Sequence, residues 1–67
     1  MSGIGKNLKK RASELGLSHA EIARRLDIPA RRYYYYVNDQ REPDFRMLKK
    51  ICKVLGVSYD YLFSEKY

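Results

Sequence analysis

Apolar residues recur every three or four positions along this chain, and the pattern is interrupted at short intervals. Ile4, Leu8, Ala12 and Leu15 share one face of a predicted helix, which Gly16 can end by entering the left-handed region. Similar short amphipathic segments follow, so we expect an all-α fold. Because isolated helices of this length are marginal in water, packing between them must supply the stability.

Capping and turn signals define four further helices. Ser18 can cap the second helix, with Glu21 completing a capping box, and Pro29 suits the start of the third. Asp44 and Ser58 are expected to cap the fourth and fifth helices. The predicted helices span residues 4–15, 19–26, 30–37, 45–55 and 59–63, within one domain of residues 1–67 whose tail, 64–67, is expected to fray.

The fourth helix is predicted to bury one apolar stripe. This stripe consists of Phe45, Leu48, Ile51, Cys52 and Leu55, with Cys52 acting as a small buried hydrophobe. The lysines beside it, and those of the first helix, more often mark the solvated side of a helix. These lysines are Lys9, Lys10, Lys49, Lys50 and Lys53.

The charge of the chain favours a polyanionic partner. Fourteen Lys and Arg against eight Asp and Glu give a net charge of +6, and the pI is near 9.6. An anionic membrane surface would attract the same charge, but no basic helix carries a large exposed apolar face, so no membrane partner is expected. The single cysteine cannot form an internal disulfide, which favours an intracellular, cytoplasmic protein.

Most of the chain, from Ile4 to Phe63, resembles a known family. The stretch LGLSHAEIARRLDI is similar to the first half of the helix-turn-helix in lambda-repressor-like, Cro-type domains, and REPDFRMLKKICKVLGVSYDYLF is similar to their last two helices. The resemblance implies a compact five-helix domain whose third helix enters the major groove of double-stranded DNA. It also implies a small repressor-like transcriptional regulator that dimerises near Val57 to Leu62, where Tyr59 is the exposed aromatic most suspected of a dimer contact.

The chain departs from the family at several positions. Asp27 and Asp39 stand where relatives usually carry glycine, and both are expected at positive φ, which Asp tolerates less well than Gly. Ala12 and Val37 replace a buried Arg–Glu pair, and both partners are exchanged together, which can be neutral or stabilising. We therefore expect Ala12 and Val37 to lie near each other and near Tyr36.

Helical geometry divides the tyrosine run of the segment RRYYYYV. Tyr33 and Tyr36 share a face with Val37, and the resemblance places aliphatic core residues at these two tyrosines. Tyr34 and Tyr35 are expected to point outward, with Tyr35 where relatives contact bases and Tyr34 nearer the rim. The alternative is that all four tyrosines are aromatic filler around the helix.

The third helix opens with the strongest candidates for DNA recognition. Arg31 is favoured as a guanine reader and Arg32 as a phosphate contact, with the reverse assignment as the main competitor. Ala30 is small enough to touch a thymine methyl group.

Ser18 and His19 lie at the amino end of the second helix, where free N–H groups suit a phosphate, although His19 could be purely structural. A phosphate contact by His19 would depend on pH near 6.5. Asn38, Gln40 and Arg41 could hold further phosphates.

The residue content disfavours an enzyme. There is one histidine, one cysteine and no metal-ligand cluster or phosphate-binding glycine loop, so no catalytic residue, metal site or cofactor is predicted. The competing function is a protein-interaction or antitoxin-like module that uses the same fold without reading DNA. Arginines and outward tyrosines at the front of the third helix favour the DNA reader.

Overall fold

Five short helices form the fold of the described residues, 3–64. The computed structural model describes residues 3–64, in which the helices are α1 (Gly5–Leu15), α2 (His19–Leu26), α3 (Ala30–Val37), α4 (Phe45–Leu55) and α5 (Tyr59–Phe63). The all-α prediction is confirmed, and the predicted helix bounds differ only at the start of α1. Across residues 3–64, every helix is too short or too polar to cross a membrane. The rest of the tail predicted to fray, residues 65–67, lies outside the described residues.

Side-chain caps begin three of the helices. The Ser18 Oγ accepts from the Glu21 N–H at 3.0 Å, Asp44 Oδ1 accepts from the Met47 N–H at 2.8 Å, and the Ser58 Oγ accepts from the Tyr61 N–H at 3.2 Å. These bonds satisfy backbone donors that have no partner within their own helix. The caps themselves agree with the sequence analysis.

The second half of the predicted capping box is absent. The Glu21 carboxylate does not reach back to Ser18 but accepts from Arg24 at 2.6 Å and from Arg25 at 3.1 Å. Both arginines lie three or four positions further along α2, on the same side of the helix as Glu21. Two charged donors therefore outcompete one backbone N–H for this carboxylate.

Two aspartates take the left-handed backbone expected at the family's glycine positions. Asp27 has φ 63° and ends α2, and Asp39 has φ 59° in the loop after α3. Gly16 and Gly56 end α1 and α4 at φ 69° and φ 68°. The prediction of positive φ at both aspartates is confirmed.

The core lies where α1 and α2 pack against α3, with α4 packing on α2 and α5 on α1. Tyr33 is fully buried and Tyr36 nearly so, which confirms the predicted division of the tyrosines. Ala12 and Val37 are also buried in this cluster. The core residues are Ile4, Leu8, Ala12, Ile22, Ala23, Leu26, Tyr33, Tyr36, Val37, Met47, Ile51, Leu55 and Leu62.

Helix α1 also holds the ends of the last two helices by hydrogen bonds. Arg11 Nε donates to the Leu55 carbonyl at 2.8 Å, at the end of α4. Asn7 Nδ2 donates to the carbonyls of Leu62 and Ser64, at 2.9 and 2.8 Å. The last carbonyl groups of a helix have no N–H donor within that helix, so the side chains of α1 cap the ends of α4 and α5. Ser64, expected to fray, is thus held by α1.

The start of α1 meets the end of α3 at very close range. The Gly5 N–H donates to the Asp39 carboxylate at 3.0 Å, which supplies the cap that Ile4 does not provide. A Cβ atom at Gly5 would overlap the Val37 carbonyl. Glycine is therefore required here for close approach, a constraint that the periodicity of the sequence did not reveal.

The prediction for α4 was wrong at Phe45 and only partly right at Cys52 and Leu48. Phe45, expected in the core, is 65% exposed, whereas Met47 is buried instead. Phe45 is the first residue of α4, and the Asp44 cap orients this turn so that Met47 points inward. Cys52 is half-buried rather than fully buried, and desolvation raises the pKa of its thiol. Leu48 is likewise only partly buried at the edge of the core.

Substitution of Gly5 tests the junction between α1 and α3. We expect Gly5→Ala to lower the free energy of unfolding by about 2–3 kcal/mol, since the added methyl group forces two backbones apart. Lys10→Ala, on the exposed side of α1, should change it by less than about 0.5 kcal/mol. Urea unfolding measures both. Equal effects in the two variants would contradict the close contact.

Tyr33 supports a second stability test. Its hydroxyl group is buried and has no hydrogen-bond partner among the described residues. Tyr33→Ala should cost about 3–5 kcal/mol because it leaves a cavity, and it can unfold so small a domain. Tyr33→Phe keeps the ring and removes the unpaired hydroxyl, so its melting temperature should be equal or higher. A clear loss of stability in the Phe variant would show that the hydroxyl is paired.

Candidate nucleic-acid interface

One side of α3 is buried and the opposite side is open to solvent. Tyr33, Tyr36 and Val37 face the core, while Tyr34 and Tyr35 keep 43% and 37% of their surface exposed. Arg31 and Arg32 are exposed as well. The exposed side thus combines guanidinium and phenol groups, both of which can hydrogen-bond to bases or phosphates.

Three arginines gather around one depression beside α3. Arg31, Arg32 and Arg41 line it together with Tyr35 and Pro29. Arg41 comes from the loop after α3, and its guanidinium carbon lies 5.8 Å from the centre of the Tyr35 ring. Among the residues that the structure describes, no carboxylate lines this depression, so it is suited to an anion.

Backbone hydrogen bonds return the loop to α3. The N–H groups of Gln40 and Arg41 both donate to the Tyr35 carbonyl, at 2.8 and 3.3 Å. The left-handed conformation of Asp39 allows the chain to reverse at this point. Arg41 therefore reaches the same surface as Arg31, although the sequence places it after the helix.

The two arginines at the start of α3 differ in their surroundings. Arg32 Nε donates to the Tyr36 hydroxyl at 3.1 Å, so its guanidinium is held close to the helix. Arg31 makes no hydrogen bond or ion pair with any residue in the range 3–64. The buried ring of Tyr36 thus has a polar end that reaches the surface and positions one arginine.

A cluster of aromatic rings joins the start of α2 to α3. The His19 ring lies 5.9 Å from the Tyr33 ring and 5.7 Å, edge to face, from the Tyr34 ring. Tyr33 in turn meets Tyr36 edge to face at 6.4 Å. Contacts of this kind add about 0.5–1.5 kcal/mol each beyond simple burial. His19 therefore packs on both the buried and the exposed side of α3.

Burial changes the acid–base behaviour of this group. Desolvation, with a smaller contribution from the positive charge of Lys9, lowers the pKa of His19 below its ordinary value of 6.5. Its Nδ1 is buried and has no partner in the described part of the chain. Burial raises the pKa of the Tyr33 phenol. The expected titration of His19 near pH 6.5 is thus moved to lower pH.

The structure places the other predicted site residues around this surface. Ser18 is exposed, and its hydroxyl caps α2. Ala30 is half-buried at the first turn of α3. Asn38 and Gln40 are exposed at the end of α3. Two groups result: the arginine depression with Asn38 and Gln40 nearby, and the Ser18–His19 end of α2 beside Tyr34.

Sequence reasoning did not single out Lys9 for this surface. Its charge acts on His19, which places it close to the start of α2. The helical periodicity of α1 indicated only that Lys9 is exposed. Within residues 3–64, no cluster of three or more His, Cys, Asp or Glu could hold a metal ion.

The order and packing of α2 and α3 define a helix-turn-helix. Pro29 and the left-handed Asp27 form the turn, and α3 lies across α2 with its arginine side exposed. The family model described as helix-turn-helix matches residues 8–62. The chain therefore belongs to the lambda-repressor-like, Cro/CI-type helix-turn-helix family, as its resemblance predicted.

Curated relatives come from Bacillus subtilis (strain 168). HTH-type transcriptional regulator ImmR is 34% identical over 62 residues, which make up 92% of this chain and 49% of that protein. The SPbeta prophage-derived uncharacterized HTH-type transcriptional regulator YonR is 38% identical over 59 residues, covering 88% of this chain and 55% of YonR. The uncharacterized HTH-type transcriptional regulator YqaE is 39% identical over 59 residues, covering 88% and 51%.

The chain spans about half the length of these curated relatives. No solved structure is significantly similar to this chain.

The lowered pKa of His19 gives a testable pH dependence. The unfolded chain binds a proton at His19 near pH 6.5, whereas the folded chain binds it only at lower pH. The contribution of the neutral His19 side chain to the free energy of unfolding is therefore fully present above pH 6.5. It is lost as the pH falls from there through the folded-state pKa. The melting temperature should fall on acidification, and His19→Gln should remove part of this dependence. Identical pH profiles for both proteins would contradict the burial of the imidazole.

Proposed function

We propose that this protein is a small, repressor-like transcriptional regulator that binds double-stranded DNA sequence-specifically, with α3 in the major groove. The observation that carries the proposal is that α3 is buried on one side only. Its buried side packs in the core, and its opposite side presents Arg31, Arg32 and Tyr35 to solvent. An α-helix fits the major groove of B-form DNA, where base edges are distinguishable. Membership in the helix-turn-helix family and the names of the relatives support it.

Arg31 is proposed as the base reader. It lies at the start of α3, is exposed, and has no partner within residues 3–64, so its guanidinium is available for the O6 and N7 atoms of guanine. Arg32 is proposed as a phosphate contact because its bond to Tyr36 holds it beside the helix. Tyr35 and Ala30 supply contacts to base edges or thymine methyl groups, and Tyr34 contacts the rim.

Phosphate contacts are proposed on both sides of α3. Ser18 and His19 occupy the amino end of α2, and the partial positive charge of a helix amino end suits an anion. Asn38, Gln40 and Arg41 occupy the loop at the other end of α3. Contacts on both sides would fix the position of the helix in the groove, whereas base contacts supply the specificity.

A homodimer through the Val57–Leu62 region would place two copies of α3 on half-sites about one helical turn apart. Leu62 is buried and cannot contribute, so the available surface is the exposed Tyr59 and Asp60 with the half-buried Val57 and Tyr61. In this proposal residues 1–67 act as one domain in the cytoplasm, without catalytic residues or a cofactor.

The alternative is a protein-interaction or antitoxin-like module with the same fold. The outward arginines of α3 favour DNA, because a protein partner does not require three guanidinium groups around one depression. Titration of duplex DNA at two salt concentrations separates the two. Binding that weakens steeply with salt supports the regulator, and no binding to any duplex in a random pool supports the module.

Arg31→Ala tests the assignment of the base reader. We expect affinity for the selected site to fall by about 1–3 kcal/mol, with relaxed preference at one base pair. Arg24→Ala is the matched control, because Arg24 is exposed on α2 and is paired with Glu21. Selection from random DNA with each variant measures the preference. A uniform loss on every sequence would instead make Arg31 a phosphate contact.

A further inference from the structure

The outer face of α4 carries a continuous strip of cations beside an exposed aromatic pair. Arg46, Lys49, Lys50 and Lys53 line one shallow depression, and α4 contains no acidic residue. Within residues 3–64, none of these four side chains forms an ion pair. Since α4 is neither part of the helix-turn-helix nor packed closely on α3, DNA reading by α3 does not account for this strip.

Phe45 makes this strip more than a solvated row of lysines. It is 65% exposed, and its ring lies 6.2 Å from the Tyr59 ring, which is itself 40% exposed. Lys49 Nζ lies 5.7 Å from the centre of the Phe45 ring. An apolar ring held at the edge of a cationic strip offers burial as well as charge to a partner.

We propose that the outer face of α4, made of Arg46, Lys49, Lys50 and Lys53 with Phe45, is a docking surface for an acidic protein segment that also carries an apolar side chain. The carboxylates would pair with the cationic strip, and the apolar side chain would cover the ring of Phe45. Charge complementarity supplies the orientation and speed of association, while burial of the ring supplies much of the affinity.

Two other occupants fit the surface less well. In a two-fold dimer through this face, the cations of one copy would meet the same cations of its partner, which is repulsive. Duplex DNA could use the cations, but its phosphate backbone has no apolar surface for Phe45 unless a base step is opened. An acidic, partly apolar protein segment uses both features together.

A labelled Glu-rich peptide that contains leucines is a suitable probe, and the same peptide with every Glu replaced by Gln is its control. Fluorescence anisotropy with the full chain measures binding. We expect Lys49→Glu to weaken binding of the Glu-rich peptide on the order of tenfold at low salt. Lys10→Glu carries the same change of charge on exposed α1 and should weaken it much less.

The apolar part of the surface is tested by a second matched pair. Phe45→Ala should weaken peptide binding severalfold, whereas Phe63→Ala, which removes another exposed ring at the end of α5, should leave it unchanged. Melting temperatures confirm that each variant is folded. Duplex DNA affinity and sedimentation are measured for the same proteins, so that loss of DNA binding by α3 is seen separately from loss of the peptide.

Three results would overturn the proposal. Equal losses of peptide binding in Lys49→Glu and Lys10→Glu would show that the peptide senses only net charge. A larger loss of duplex affinity in Lys49→Glu than in Lys10→Glu would assign the face to DNA. Altered self-association in Lys49→Glu but not in Lys10→Glu would assign it to a second copy of the chain.

Discussion

The burial of the inner side of α3 is the constraint on which the rest of the structure depends. An eight-residue helix is not stable alone in water, so α3 exists because Tyr33, Tyr36 and Val37 pack against α1 and α2. The same packing determines which side of α3 remains exposed. Since side chains one and two positions apart lie on different sides of a helix, burying Tyr33 and Tyr36 directs Arg31, Tyr34 and Tyr35 outward.

The end of α3 is held by a second contact, with the start of α1. Gly5 allows the two backbones to meet beside Val37, and Asp39 caps α1 through the Gly5 N–H. The family resemblance implies a buried Arg–Glu pair at the positions of Ala12 and Val37, and here both residues are apolar and buried. An apolar contact avoids the desolvation of two charges. The hydrogen bond from Gly5 to Asp39 lies at the edge of the core, where the Asp39 carboxylate stays partly solvated.

The sequence predicted the helices, caps and the two sides of α3 well because each depends on local signals. Periodicity separated Tyr33 and Tyr36 from their neighbours, and the glycine positions of the family located Asp27 and Asp39. The errors concern tertiary geometry. Phe45 matches the apolar periodicity of α4. As the first residue of that helix, however, it extends beyond the edge of the core, and Met47 is buried instead.

Other features of the site required distances that no pattern encodes. The role of Gly5 depends on its separation from Val37, and the grouping of Arg41 with Arg31 depends on how the loop turns at Asp39. Glu21 could pair either with the Ser18 N–H or with two arginines, and periodicity does not decide between them. Local sequence thus determined the elements, whereas the constellation of side chains arose from their packing.

Tyrosine at the core positions of α3 has a consequence that an aliphatic residue would lack. The ring of Tyr36 fills the core as a leucine would, but its hydroxyl extends to the surface and accepts from Arg32. The ring of Tyr35 similarly supports Arg41 from the exposed side.

A free arginine loses about 2 kcal/mol of rotamer freedom when it is fixed against a ligand. Arginines already held by tyrosines lose less of that freedom on binding, so the aromatic run both stabilises α3 and preorganises the cations beside it. Arg31, which has no such support within residues 3–64, keeps the freedom to adjust to a base edge.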